Sequence, residues 1–430
     1  MARAVQSSAE ICLNSHLGTT VVLRRASDLP EVKDALAESE LPHHVVMSTA
    51  KFGDTNAFLS RLEREHISSR YNWISLLGAI VLGGLMLIFG KIYGAPNAIG
   101  KALVVVSAAF PLSMYLVHYW SFYRLTQGLR QSSMTVAGES AVYELANADV
   151  VCLCDADAFP RSHVKLTHIK LCEDKRLDLL FVRLRALFAQ LGGPLNGLFS
   201  VSGEDTDHPV EVSVKEITAD GITAIVDGEI ISVGKGAYMA QKGIPFMYDA
   251  DDEALIKNID TPIMFVATAG ISSAKLYLRY QISEAFESYV RRLGRAGIGI
   301  IIRTSDPFIT PDMIDRLSCL EKGSVGVVRS TASGKSATDM LSGGLIGYGT
   351  KPQTLYESRF LFSAYRRMQK SLPWVSMASI PLCGVLCALS AAAGAVALPL
   401  MAILYSILGA LPALFVIEAV LRKYNMGDKK

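Results

Sequence analysis

Long apolar stretches alternate along this chain with stretches of shorter period. Asn72–Gly90 carries no charge, and Ala102–Tyr123 carries one ionisable group, His118. Leu372–Leu421 is a longer apolar run broken at Gly394 and Pro399, which reads as two more helices. Each segment is close to the roughly 20 residues that a bilayer core requires, so the pattern predicts four transmembrane helices in two hairpins. Lys91–Lys101, short and rich in Gly and Pro, would turn the first hairpin.

Between the hairpins the period changes. Val150–Leu153, Ile298–Ile302 and Val325–Val328 are short β-rich apolar runs of the kind that form buried parallel strands. Helical patterns precede the second run, over Tyr280–Leu293, and follow it, over Thr310–Leu320. Strand–helix alternation predicts a doubly wound parallel sheet. From Arg161 to Thr261 the pattern becomes strand-like alternation with turn signals at Asp220-Gly221 and Asp227-Gly228, which predicts an inserted α+β domain. Ahead of the first hairpin, residues 1–70 hold strand-like runs at Thr19–Leu23 and His44–Met47 and a polar helical stretch at Thr55–His66. The expected division is therefore 1–70, a small soluble piece; 72–123, two spans; 124–160 with 262–371, the α/β core; 161–261, the insert; and 372–421, two spans.

Composition agrees with a membrane protein carrying sizeable soluble parts. The chain has 430 residues, 50% hydrophobic and 19% charged, with a mean hydropathy of +0.31. A net charge of +2 gives no support to nucleic-acid binding. The seven cysteines form no CxxC pair or zinc spacing, which suits reduced thiols in the cytosol. No secretory leader pattern is visible. Arg124, Arg130, Arg359, Arg366, Arg367 and Lys370 flank the soluble block, and Arg422, Lys423, Lys429 and Lys430 follow the last span. The positive-inside rule would place all of them, and the soluble domains, on the cytoplasmic side of the plasma membrane.

The candidate chemistry sits at strand ends. Val150–Pro160, VVCLCDADAFP, puts Asp155 and Asp157 just past the first strand, where open α/β sheets bind ligands. Thr304 and Asp306 follow the second strand, and Arg329 follows the third.

In this order these features resemble a P-type cation-transporting ATPase of the heavy-metal branch, with its haloacid dehalogenase-like core. Ala141–Pro160 is similar to the segment leading into that family's DKTGTL motif, with Asp155 in the place of the phosphorylated aspartate. His208-Pro209 resembles the pair that contacts adenine, and Gly221–Gly234 resembles the glycine-rich hairpin of the same nucleotide-binding domain. Arg295-Ala296-Gly297 with Thr304-Ser305-Asp306 is similar to the family's "aGi…TGD" segment. Pro111 falls where the family unwinds a helix to bind the ion, and His44–Glu65 resembles the end of the actuator domain. The resemblance implies ATP and Mg²⁺ as ligands, a metal cation as cargo, and His208, Pro209 and Gly221 at the nucleotide. It also implies a bilayer and a separate partner chain supplying the actuator loop and helices that are missing here.

The departures bear on activity. Ala156, Asp157, Ala158 and Phe159 stand where the family has Lys-Thr-Gly-Thr. Arg329-Ser330-Thr331-Ala332-Ser333-Gly334 stands where GDGxND should follow the third strand. Mg²⁺ needs oxygen ligands, and a fixed cation at that place opposes it. Gly138-Glu139-Ser140 spells part of the TGES motif but lies past the second span. The expectation is a pseudo-pump with a regulatory or scaffold role. The alternatives are a pump completed by a second chain and an Mg²⁺-dependent phosphatase using Asp155 and Asp157, an arrangement that resembles haloacid dehalogenase-type phosphatases, whose acid two residues past the nucleophile does the acid–base work. Along the spans, Pro111, Ser113, Cys383 and Cys387 are the candidate cation ligands, the two cysteines lying on one helix face. Glu418, near a helix end, is expected to reach the interface.

Overall fold

The computed structural model describes residues 18–25, 45–51, 69–92, 97–109, 112–172, 176–199, 210–249, 261–330, 344–348, 352–392 and 410–423. It also describes a few single positions between them, and some helical residues are described by their backbone alone. The chain divides into two compact units. One comprises Met1–Val21, Lys51–Asn147 and Leu341–Lys430; the other comprises Val22–Ala50 and Ala148–Met340.

In chain order the elements are β1 (Gly18–Arg25), β2 (Val45–Lys51), α1 (Ser69–Ile92), α2 (Ala98–Ala109), α3 (Leu112–Gln131), β3 (Met134–Val136), α4 (Gly138–Leu145), β4 (Val150–Cys154) and α5 (Asp155–Ala158). The next are β5 (Val164–Leu171), α6 (Leu177–Leu191), β6 (Val212–Ile217), β7 (Gly221–Val226), β8 (Glu229–Gly234), α7 (Gly236–Gln241), β9 (Ile263–Thr268) and β10 (Ile271–Tyr280). The last are α8 (Glu284–Arg295), β11 (Gly299–Thr304), α9 (Pro311–Leu317), β12 (Gly326–Arg329), β13 (Leu345–Tyr348), α10 (Pro352–Ala392) and α11 (Leu411–Lys423).

In the first unit, β13 runs antiparallel to the start of β1 (Gly18↔Tyr348) and to β3 (Leu345↔Val136). Helices α1 and α2 pack where Gly83 lets them approach: a Cβ there would lie 2.2 Å from a Val106 methyl. The outer side of α1 exposes Leu77, Ile80, Val81, Leu85, Ile88, Phe89 and Ile92. Glu139 opens α4 as a buried internal tie. It accepts from the Tyr365 hydroxyl at 3.1 Å and lies 3.0 Å from His118 Nε2. Glu418 pairs with Arg124 at 2.6 Å.

The four predicted spans are not supported. Among the described residues, no helix is long and apolar enough to cross a membrane. The predicted second span falls on two helices, α2 of 12 residues and α3 of 20, and α3 carries Arg124 and Arg130 in its second half. The predicted third span is only the later part of α10, whose first turns are polar and carry Arg359, Arg366 and Arg367. The expected break at Gly394 and Pro399 lies outside the described residues.

The second unit holds the α/β core. Its parallel strands run in the order β12-β11-β4-β2, with Gly299↔Val150 between β11 and β4, Ile301↔Gly326 between β11 and β12 and Val46↔Val150 between β2 and β4. Val32, Val46, Val150, Ile301 and Val328 bury one face of it. The three strands read from the sequence appear within two residues of their predicted ends. The strand read near His44–Met47, expected in an actuator-like piece, instead forms part of this core sheet. An isolated strand has no sheet of its own, and Val46 and Met47, on opposite faces of β2, are buried where a parallel neighbour exists.

The insert is a six-stranded antiparallel sheet in the order β5-β10-β9-β8-β7-β6. It reaches Tyr280 rather than the predicted boundary at 261. Strands β9 and β10 form a hairpin over Ala269 and Gly270, both in left-handed backbone (φ 51° and 78°), and β10 then pairs with β5, as in Tyr280↔Val164. The partner of β10 lies more than a hundred residues upstream, so no local pattern marks this boundary.

Candidate functional site at the carboxyl edge of the parallel sheet

Parallel register brings the site together. Arg303 pairs with Cys154 across β11 and β4, and Thr304 pairs with Arg329 across β11 and β12. Asp155, Thr304 and Arg329 therefore emerge side by side at one edge. The predicted residues Asp155, Asp157, Thr304 and Asp306 all belong to this neighbourhood.

Asp155 opens the single turn α5. Its Oδ2 accepts from Thr304 Oγ1 at 2.7 Å, and its Oδ1 accepts from the Ala156 amide at 2.8 Å. Thr304 Oγ1 in turn accepts from the Asp306 amide at 2.9 Å. Both oxygens of Asp306 are engaged: Oδ2 takes the Tyr280 hydroxyl at 2.6 Å and Oδ1 the Phe308 amide at 2.9 Å. Asp157 serves α5 itself, its Oδ2 accepting from the Cys154 amide at 3.3 Å, so one of its oxygens is committed to capping the turn.

Arg329 is fixed by backbone. Its guanidinium donates to the Asp306 carbonyl and to the Ile309 carbonyl at 2.9 Å, which ties the end of β12 to the loop after β11. The electrostatics follow from burial. Asp155 is only 5% exposed, and desolvation pushes its carboxyl up to about 7, against the bond from Thr304 that favours the charged form. Burial raises Asp157 to about 6. Burial also raises Asp306, although Tyr280, Phe308 and Arg329 oppose the shift. The Arg329 guanidinium is lowered by desolvation and held charged by Asp306, Asp220 and Asp155.

Mg²⁺ does not fit this arrangement. Both oxygens of Asp306 are occupied by donors, Asp155 is close to half-protonated at neutral pH, and Arg329 supplies the positive charge that the acids need. Among the described residues, no group of three or more His, Cys, Asp or Glu side chains is placed to hold a metal ion.

The insert carries a groove of its own. A groove of about 410 Å³ lies between α6 and β6, lined by Val182, Arg185, Ala186, Ala189, Gln190, Val210 and Val212. Apolar walls with one cation and one amide suit a planar base and an anionic tail. His208 and Pro209 lie outside the described residues, two positions and one position before Val210. Gly221 has a packing reason. A Cβ there would fall 2.2 Å from the Tyr238 ring, which is buried in the insert's core. Gly221→Val is expected to cost about 1–3 kcal/mol by displacing that ring, read as a lowered thermal midpoint of the full chain.

The remaining predicted metal ligands are not brought together by anything described. Pro111 lies outside the described residues, and Ser113, Cys383 and Cys387 are described by backbone only, on α3 and α10. Sequence reasoning missed Tyr280, because a tyrosine at a strand end carries no sign of the carboxylate it will meet. It also missed Gly193, which reads only as a helix stop.

No protein-family model matches this sequence, and no curated protein matches it at a significant level. Among solved structures the chain is similar to a zinc-transporting PIB-type ATPase. In one crystal structure of such a transporter the identity is 12%, over 86% of this chain and 66% of that one, with a TM-score of 0.48. In a second, of a different state, the identity is 14%, over 85% and 66%, with a TM-score of 0.40. The N-domain of HMA6, a copper-transporting P-type ATPase, matches at 12% identity over 27% of this chain and 99% of the domain, with a TM-score of 0.22. The chain thus spans just under two thirds of the length of the zinc transporter it matches. Every one of these scores lies below 0.5, so none of them assigns the chain to that family.

Proposed function

We propose that this protein is a P-type ATPase-like chain that no longer turns over ATP and acts by binding, as a regulatory or scaffold subunit at a membrane. The observation that carries this reading is Arg329. Phosphoryl transfer to a carboxylate needs an ionised nucleophile and a divalent ion bridging it to the phosphate. Here a guanidinium held by two backbone carbonyls stands beside the acids, and the would-be nucleophile is buried and protonated to a large extent near neutrality. The sequence departures after Asp155 and after β12 point the same way.

The groove beside α6 supports retained nucleotide binding. The exposed apolar side of α1, together with Leu411 and Phe415 on α11, supports a seat against lipid. Asp157, engaged as a cap, weighs against the phosphatase alternative, which needs that carboxyl free to move protons.

The test is phosphoenzyme formation. Full-length protein incubated with Mg²⁺ and radiolabelled ATP is expected to give no acid-stable label. A label that appears on the wild-type chain and vanishes in Asp155→Asn would overturn the reading.

A further inference from the structure

The turn that follows α6 lies directly on the site. Gly192 and Gly193 both take left-handed backbone, with φ of 74° and 78°. A Cβ on Gly193 would stand 2.9 Å from Asp155 Oδ2 and 3.2 Å from Oδ1, and no other atoms come nearer. Four residues on, Gly197 also comes close to the core: a Cβ there would meet Arg161 Nη1 at 3.6 Å. The same turn therefore meets the segment that carries Asp155 at two places, at Asp155 itself and at Arg161 beyond the end of α5.

This turn is anchored to the insert. The Gly192 amide donates to Phe188 O at 2.9 Å and the Asn196 amide to Gly193 O at 3.2 Å. Phe199 stacks on Phe188 with ring centroids 5.5 Å apart, and both rings are buried, as is Leu195. Moving the turn away from Asp155 therefore means moving α6 with it.

A second part of the insert faces the same site. Asp220, before β7, binds Lys235, after β8, at 3.0 Å. Asp220 helps hold the Arg329 guanidinium charged, and Lys235 favours the ionised form of Asp306. The hairpin corner thus adds an electrostatic contact to the steric one.

We infer that the 192–199 turn is a built-in plug: in the closed form it covers the Asp155 carboxylate, and only displacement of the insert opens that carboxylate to a phosphoryl group. Only a glycine can make this approach, because any side chain at 193 would need both a left-handed backbone and the space that Asp155 fills. The inference rests on reading Asp155 as the phosphate-accepting position, but not on turnover having been lost.

Hydrogen–deuterium exchange on the full chain tests it. Gly193→Val should force the turn off, and Asp220→Lys should repel the insert from Arg329 while keeping the backbone bond from Lys235 N to Asp220 O. In each variant the amides of 156–159 are expected to exchange at least about tenfold faster, an opening made easier by roughly 1.4 kcal/mol. The amides of β9 and β10 should keep wild-type protection. Should Gly193→Val lose protection throughout, Asp220→Lys decides. Unchanged exchange at 156–159 in a variant whose β9 and β10 remain protected overturns the plug. Neither readout requires ATP turnover. A phosphorylated Asp155 would thus overturn the impaired-pump reading and leave the plug standing, and unchanged exchange would do the opposite.

Discussion

Asp155→Asn is expected to stabilise the protein by about 4 kcal/mol at about pH 8 and to change it little at about pH 4. The carboxyl stands near 3.8 when unfolded and is pushed up to about 7 in the fold. Between those values the native state keeps a proton that the unfolded chain has released. Native stability therefore falls as pH rises through that window and levels off above it. Asparagine carries no charge at any pH, and its side-chain oxygen can still accept from Thr304 Oγ1. Asp157, raised to about 6, titrates in the same window and leaves the variant a smaller slope of the same sign. Urea unfolding across this range is the measurement. Wild-type protein equally stable at both ends, or a variant no more stable than wild type at the alkaline end, would contradict the burial argument.

Arg329→Met should cost about 2–5 kcal/mol. Methionine matches much of the stem, so packing is largely kept. What goes is the fork to the Asp306 and Ile309 carbonyls, which leaves the Ile309 carbonyl without that donor and the Asp306 carbonyl with only the Ile309 amide at 3.4 Å. Asp306, already raised by burial, also loses the neighbouring charge that favours its ionised form. Arg329→Lys should recover only part of the loss, because an ammonium on a flexible stem does not bridge two carbonyls as a planar guanidinium does. The shift in denaturant midpoint reads this directly. A change within about 0.5 kcal/mol for the methionine variant would mean that Arg329 behaves as an ordinary surface side chain.

Taken together, these two substitutions describe a site whose charges are balanced internally. A working phosphate-transfer centre keeps its acids ready for an incoming cation. Here Tyr280, Thr304 and the amides of Ala156 and Phe308 already donate to the two acids, and Arg329 is tied to the loop beside them.

Local pattern carried much of the core. Three apolar runs ending in Asp155, Thr304 and Arg329 are strands because β-branched residues buried on both faces suit a parallel sheet, and their ends fall at one edge because parallel neighbours share direction. The helical pattern read from Thr310 is observed as α9, where Thr310 Oγ1 accepts from the Met313 amide at 3.2 Å. Hydropathy alone misjudged the helices: it took Leu372 as the start of a span, whereas α10 begins at Pro352 and its Tyr365 and Gln369 face a buried polar cluster with Glu139 and Ser121. What only tertiary structure decided are the meetings between distant segments. The pairing of β10 with β5 extends the insert to Tyr280, β2 joins the core rather than an actuator-like piece, Tyr280 reaches Asp306, and Gly193 rests on Asp155. Periodicity reports which face of an element is buried, but a hydrogen bond or a close approach depends on which other element arrives there, and that is settled by packing across the whole unit.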